Sequence, residues 1–228
     1  MVVPQSSKSV SLSVSVLLAF LSTTVVQAES LTVYCDSSLP QAVFALKEIR
    51  SALGAPVAPA SLSNFATSAG GERVVLATIA DLRVVRQLEA VGARPPAELK
   101  PEGFSIRATG AANARTFWIL GADAAGLMYG GLEFAEIAKL SGLDAVQDVD
   151  QNAYMPMRGT KFNVPLDVRT PTYTDPCDAA QKNMPEMWNL DFWKEYVDNL
   201  ARHRYNLVSL WSLHPFPSMV RVPGYEDV

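Results

Sequence analysis

The segment from Phe104 to Leu140 constrains the fold most strongly. Phe104–Ala108 alternates apolar and polar residues, as a half-buried strand does, and Thr116–Leu120 is a fully apolar run a short connection further on. Apolar residues then recur at helical spacing from Asp123 to Leu140. This pattern predicts a β-hairpin followed by a helix, and therefore a sheet with helices packed on it.

Strand and helix patterns also alternate ahead of the hairpin. Leu31–Tyr34 and Val74–Ala77 are short runs of strand-forming residues. Between them, apolar residues at helical spacing predict a helix from Pro40 to Leu53, which Gly54 ends. These elements add two strands and a helix to the predicted sheet.

Two further features complete this half of the chain. Asp81 is placed to cap a helix that runs to near Val91. The low-complexity stretch Ala55–Gly71 is predicted to be a loop. Residues 29–142 are therefore predicted to form an α/β domain, with helices on a small mixed sheet.

The pattern changes after Gly142. Met157–Val164 has the character of a strand, Asp191 begins a strongly amphipathic helix, and Leu207–Trp211 is a continuous apolar strand. Strand, loop, helix and strand form one βαβ unit, and apolar strands of this kind are typical of a parallel sheet covered on both faces. A single βαβ unit is an incomplete sheet, so we expect the chain to be a fragment of a longer protein.

Residues 1–28 have the features of a secretory signal peptide. Lys8 precedes an apolar stretch from Val10 to Val26, which leads to the small residue Ala28. A membrane anchor is the alternative, but repeated serines make the stretch weakly apolar for the roughly 20 residues that a bilayer requires. We therefore expect cleavage after Ala28, no membrane association afterwards, and a secreted or periplasmic protein.

Charge and cysteine content bear on the possible partners. The formal net charge is −4, from 19 basic and 23 acidic residues without a long run of one sign, which argues against nucleic-acid binding. Cys35 and Cys177 are interpreted as unrelated thiols, although an oxidising compartment would allow them to pair. No spacing of cysteines and histidines is typical of a metal site, so no metal or cofactor is predicted.

The hairpin and its helix contain motifs of a known group of enzymes. Residues 102–104 are E-G-F, and residues 119–131 are I-L-G-A-D-A-A-G-L-M-Y-G-G. They resemble the N-terminal accessory domain of the β-N-acetylhexosaminidases and α-glucuronidases, in which an E-G-(F/Y) hairpin leads into I-x-G-x-D-x-x-G-x-x-Y-G. The resemblance implies that Tyr129 packs at the seam and that three glycines let the helix lie close on the sheet. These glycines are Gly126, Gly130 and Gly131.

The resemblance extends to about residue 215. Arg158–Gly159 resembles the entry into the first strand of the catalytic barrel of these families, Phe192–Asn206 its first helix and Leu207–His214 its second strand. This implies a secreted glycoside hydrolase that acts on a polysaccharide or glycan, with residues 143–228 as the start of a (β/α)8 barrel. The catalytic carboxylates of these families lie further along the barrel, so the resemblance implies an inactive fragment without a catalytic residue.

The ends of the two barrel strands are the places to look for substrate-binding residues, because functional groups in such barrels lie at the C-terminal strand ends and in the following loops. The first strand offers polar side chains that can exchange hydrogen bonds with sugar hydroxyls. They are Lys161, Asn163, Asp167 and Arg169. A purely structural polar network is the alternative interpretation of these four residues.

The second strand offers Trp211 and His214. An aromatic face can stack on a sugar ring, and an imidazole can hydrogen-bond a sugar hydroxyl. Core packing is the alternative for Trp211, and a structural hydrogen bond is the alternative for His214.

Two other classes of function remain to be distinguished from a hydrolase. A stand-alone secreted carbohydrate-binding or interaction module would use the same fold without catalysis. A nucleotide-dependent α/β enzyme is disfavoured, because residues 121–131 lack the G-x-G-x-x-G or lysine signature of a phosphate-binding loop.

Overall fold

The structure is a computed structural model that describes residues 31–54, 56–67, 71–112, 114–163, 185–211 and 223–224. The predicted signal peptide and Cys177 lie outside these residues. The strands are β1 (Leu31–Cys35), β2 (Val57–Ser61), β3 (Arg73–Thr78), β4 (Phe104–Thr109), β5 (Thr116–Gly121), β6 (Val149–Gln151), β7 (Gly159–Asn163) and β8 (Leu207–Trp211). The longer helices are α1 (Pro40–Leu53), α2 (Leu82–Ala90), α3 (Ala124–Ser141) and α4 (Leu190–Arg202).

Six of these strands form a mixed sheet in the order β2-β1-β3-β5-β4-β6. β1 pairs in parallel with both β2 and β3, and β3 pairs in parallel with β5. β4 lies antiparallel to β5 and to β6, so the predicted hairpin is present, with Ile106 opposite Ile119. The predicted α/β fold with helices on a mixed sheet is confirmed.

Helices cover both faces of the six-stranded sheet. Phe117 and Ile119 of β5 lie in a core that includes Ile49 of α1 and Phe134 of α3. The intervening Trp118 belongs to a second core on the opposite face, which α2 covers. Every residue of β5 is buried, which explains why this strand has no alternating polar residues.

The loop predicted for Ala55–Gly71 is wrong. Strand β2 occupies Val57–Ser61 and a 3-10 helix occupies Leu62–Thr67. β2 lies at the edge of the sheet and contains Pro59, which an edge strand accepts because one of its sides needs no partner. Its small and polar residues therefore belong to a strand that pairs on one side only.

Strand β6 is a second difference from the prediction. It lies beyond Gly142, where the sequence predicts the first domain to end, and it pairs with β4 so that Asp150 is opposite Ser105. A strand of three residues is too short to show a periodic pattern. The six-stranded sheet therefore extends to Gln151.

Helix α3 approaches its neighbours closely at its glycines. A Cβ atom on Gly130 would lie 2.7 Å from Ile119 Cγ2, and one on Gly126 would overlap the backbone just before β4. These two glycines let the helix lie on the hairpin, as predicted. Gly131 has a different role, because a Cβ atom there would lie 2.6 Å from the Cβ of Ala45. It lets α3 approach α1 rather than the sheet.

The predicted βαβ unit is present as β7, α4 and β8. β7 and β8 pair in parallel, from Gly159 opposite Leu207 to Asn163 opposite Trp211. α4 begins after Asn189, whose side chain accepts a hydrogen bond from the backbone N–H two residues further on. Among the described residues, no helix combines the length and the apolar character needed to span a bilayer.

Candidate functional site

Three of the six predicted sugar-binding residues belong to the β7–β8 pair. Asn163 and Trp211 are register partners at the C-terminal ends of the two strands, and Lys161 is paired with Ser209 two residues earlier. Because parallel strands end at the same edge of a sheet, these positions are neighbours. The other three predicted residues, Asp167, Arg169 and His214, lie outside the described residues.

The two faces of β7 differ in character. Phe162 packs on α4, with its ring centroid 5.2 Å from that of Tyr196, 5.3 Å from Trp193 and 6.1 Å from Phe192. Successive residues of a strand point to opposite faces, so Lys161 lies on the face away from α4. Lys161 is exposed, and its ammonium group can donate hydrogen bonds to the hydroxyls of a sugar.

Ion pairs hold α4 on α1. Arg202 donates hydrogen bonds to both carboxylate oxygens of Glu48 at 2.9 Å, and its guanidinium lies 5.8 Å from the ring centroid of Phe44. Lys47 and Asp198 form a second pair at 3.1 Å. The hydrogen bond with Glu48 raises the pKa of Arg202 against the opposing effect of burial. These contacts set the position of α4, and with it β7 and β8, relative to the first domain.

A groove of about 550 Å³ lies between α1, α3 and the end of α4. Charged side chains line the groove, but Arg202 is paired with Glu48, and Arg204 lies 3.2 Å from Glu133. Because these opposite charges are paired with one another across the groove, the geometry favours a contact surface between the first domain and the end of α4 over a ligand site.

A second groove, of about 480 Å³, lies on the opposite face of the six-stranded sheet. It is lined in part by Phe65 and Trp118, but these side chains are only 7% and 2% exposed. Their rings pack edge to face with centroids 5.0 Å apart, and the Trp118 indole N–H donates a 2.8 Å hydrogen bond to Thr109 Oγ1. The two rings belong to the core, and neither presents an open face to a sugar.

The described residues contain no group of three or more His, Cys, Asp or Glu side chains that could hold a metal ion.

Cys35 is a free and buried thiol. Burial raises the pKa of this thiol, the charge of Asp36 adds to the effect, and Arg50 opposes it. A thiol kept in its neutral form is a poor nucleophile.

The His203 ring has a structural position at the end of α4, where its Nδ1 lies 2.8 Å from the carbonyl oxygen of Asn199.

The glutamates that hold the two parts of the chain together were not predicted from the sequence. Glu48 lies 154 residues from Arg202, and Glu133 lies 71 residues from Arg204. Local spacing cannot pair residues so far apart. The available signal, basic residues at the end of an amphipathic helix, is explained equally well by the negative end of the helix dipole.

Comparisons with known proteins agree with this architecture. The sequence model of the family described as Glycosyl hydrolase family 67 N-terminus matches residues 21–134, which are half of the 228 residues. A solved structure, a GH138 enzyme targeting pectin rhamnogalacturonan II, superposes with a TM-score of 0.59 at 18% sequence identity. The superposition covers 86% of this chain and only 26% of that enzyme. No curated protein matches the chain.

These matches differ in what they show. The family match supports the glycoside hydrolase part of the resemblance, and the likeness to β-N-acetylhexosaminidases stays a prediction. At 18% identity, the structural match shows a shared fold alone.

Proposed function

The chain belongs to the glycosyl hydrolase family 67 N-terminal family, and from this premise we propose that it is the N-terminal part of a glycoside hydrolase that acts on a polysaccharide or glycan. The observation that carries the proposal is the βαβ unit that follows the six-stranded domain, in which β7 and β8 are parallel and connected through α4. Parallel strands joined through a helix are the repeating element of a (β/α)8 barrel. The six-stranded domain is then the accessory domain of the enzyme.

The exposed apolar residues of this unit support a barrel. Leu207 and Leu210 of β8 are 47% and 38% exposed, and Val197 of α4 is 50% exposed. Parallel sheets are normally covered on both faces, and neighbouring strands and helices of a barrel would cover these side chains. We therefore assign β7, α4 and β8 to the first βαβ unit of a (β/α)8 barrel.

The glycan site is assigned to the C-terminal ends of β7 and β8. Lys161 and Asn163 of β7 and Trp211 of β8 occupy neighbouring positions at this edge, and residues of these types suit the hydroxyls and the ring face of a sugar. The assigned residues are Lys161, Asn163, Asp167, Arg169, Trp211 and His214. Hydrolysis needs two carboxyl groups about 5–10 Å apart across the scissile bond, and we assign that pair to later strands of the barrel.

Export and inactivity complete the proposal. Residues 1–28 act as a signal peptide, so the mature protein is secreted or periplasmic. We expect the 228-residue chain by itself to release no sugar, because the acid and base are assigned to later strands of the barrel.

The test compares the 228-residue chain with the complete product of its gene on aryl-glycosides and uronic-acid-containing oligosaccharides. The complete product should release sugar and the shorter chain should not. Lys161→Met in the complete product should raise KM about 3–10-fold, the worth of one hydrogen bond. Lys194→Met is the matched control, because Lys194 is exposed on α4 and paired with Asp191. A complete product without turnover, together with polysaccharide binding by the shorter chain, would instead establish a binding module.

A further inference from the structure

Glu102 has an unusual backbone conformation for a residue with a side chain. Its φ is 65°, in the left-handed region that favours glycine. The backbone N–H of Glu102 donates a 2.9 Å hydrogen bond to Asp123 Oδ2, which anchors this position to the start of α3. A glutamate at a position suited to glycine indicates that its side chain makes contacts that compensate for the conformation.

The Glu102 carboxylate contacts the beginnings of both barrel strands. It accepts a 2.6 Å hydrogen bond from Arg158 Nη2 and bonds of 2.9 and 3.1 Å from Asn206 Nδ2. Arg158 directly precedes β7, and Asn206 directly precedes β8. One carboxylate of the first domain therefore bridges the N-terminal ends of two parallel strands.

Arg158 and Asn206 also bind each other. The backbone N–H of Arg158 donates to Asn206 Oδ1 at 2.9 Å, and the backbone N–H of Asn206 donates to the carbonyl oxygen of Arg158 at 2.8 Å. The Arg158 guanidinium donates in addition to the carbonyl oxygen of Arg204 at 2.8 Å, and it lies 5.7 Å from the ring centroid of Tyr129. Both strand beginnings are thus fixed to one another and to α3.

The bridge differs from an ordinary surface ion pair. The Arg158 and Glu102 side chains are only 15% and 20% exposed, so solvent screens their attraction less than it screens an exposed pair. The carboxylate also receives hydrogen bonds from a charged and a neutral donor at once, which fixes its orientation.

The bridge has a consequence at the other end of the strands. Holding the two beginnings side by side sets the register that places Gly159 opposite Leu207 and Asn163 opposite Trp211. A register shift of one residue would move side chains to the opposite face of the sheet. We propose that Glu102 is a positioning residue, through which the first domain sets the relative placement of the sugar-binding strand ends. The part of this inference that concerns sugar rests on the proposed function.

Hydrogen exchange of the 228-residue chain tests the bridge directly. Glu102→Ala removes the carboxylate and keeps the backbone conformation unfavourable, whereas Glu102→Gly removes the carboxylate and relieves the backbone. In both variants the amide hydrogens of β7 and β8 should exchange with solvent about tenfold faster, because charge-assisted hydrogen bonds are lost. In Glu102→Gly the amides of β5 should be unchanged. Glu102→Gln, which retains one acceptor oxygen, should restore part of the protection.

The exchange experiment has a matched control and one outcome that contradicts the inference. Glu98→Ala alters an exposed glutamate of the same segment and should leave the exchange of β7 and β8 unchanged. Wild-type exchange in Glu102→Gly would show that only the backbone conformation matters, and it would overturn the inference.

In the complete gene product, Glu102→Gly should also raise KM for the glycan more than it lowers kcat. Faster exchange with unaltered KM would support the role of the Glu102 bridge but overturn the assignment of the sugar site to the strand ends.

Discussion

Arg107 and Asp150 form a 2.6 Å ion pair inside the first domain. The Arg107 side chain is 1% exposed, and that of Asp150 is 14% exposed. The same guanidinium donates hydrogen bonds to the carbonyl oxygens of Arg94, Pro95 and Val149. One buried cation therefore ties the edge strand β6 and the segment between α2 and β4 to the sheet.

Removing the carboxylate of this pair should destabilise the domain strongly. Asp150→Ala leaves the Arg107 charge buried without its anionic partner, and we expect a loss of about 3–5 kcal/mol in the free energy of unfolding. Asp148→Asn is the control, because Asp148 lies 3.9 Å from Arg107 Nε, its side chain is 49% exposed, and the amide oxygen still accepts the hydrogen bond from the backbone N–H of Ala108. That change should cost less than about 1 kcal/mol. Urea denaturation followed by circular dichroism measures both, and equal losses would contradict this account.

The same pair should make stability depend on acid pH. Burial by itself raises the pKa of Asp150, but hydrogen bonds from Arg107 and from the backbone N–H of Ala97 outweigh it and hold the pKa below the ordinary 3.8. Since the pKa is lower in the folded state, the stabilisation is complete above the unfolded value and is lost as the pH falls through the folded value. Urea denaturation between pH 6 and pH 2.5 should show a shallower decline for Asp150→Asn than for the wild type. Parallel curves would refute the pairing.

The contact between α1 and α3 should show compensation between two small residues. Gly131→Ala brings a methyl group against Ala45, which should cost about 1–3 kcal/mol through overpacking. Ala45→Gly alone should cost about 1 kcal/mol in helix propensity. The double variant should lose less than the sum, because the second change restores the space. Gly130→Ala brings a methyl group against Ile119 instead, so its free-energy change should add to that of Ala45→Gly. Thermal denaturation of all these variants measures the changes.

The pair that holds α4 on α1 should be sensitive to salt. A double-mutant cycle on Glu48 and Arg202 should give a coupling energy of about 1 kcal/mol, because the pair is bidentate and its side chains are 16% and 34% exposed. The coupling should fall in 1 M NaCl. A cycle on the more exposed pair of Asp191 and Lys194 should give less than about 0.5 kcal/mol. Equal couplings in the two cycles would mean that Glu48 does not hold the helix.

The helices of the first domain show how far local patterns reach. As predicted, α1 ends at Gly54, which has a left-handed φ of 59°. Asp81 caps α2, also as predicted, by accepting a hydrogen bond from the backbone N–H of Arg83.

The edge strands β2 and β6 were not predicted, because they are stabilised by pairing with β1 and β4 and have no clear periodicity of their own. The parallel register at Asn163 and Trp211 is consistent with the predicted placement of the strand ends, and their role in sugar binding stays a prediction.

The sequence by itself determined the type and order of the strongly periodic elements, because apolar spacing and helix caps act between residues a few positions apart. Only the tertiary structure decided the order of the strands, the two edge strands and the partners of the buried charges. Glu102 meets Arg158 across 56 residues, and Arg107 meets Asp150 across 43. Such pairs form because the fold brings complementary charges together away from solvent, and that proximity has no trace in the local pattern.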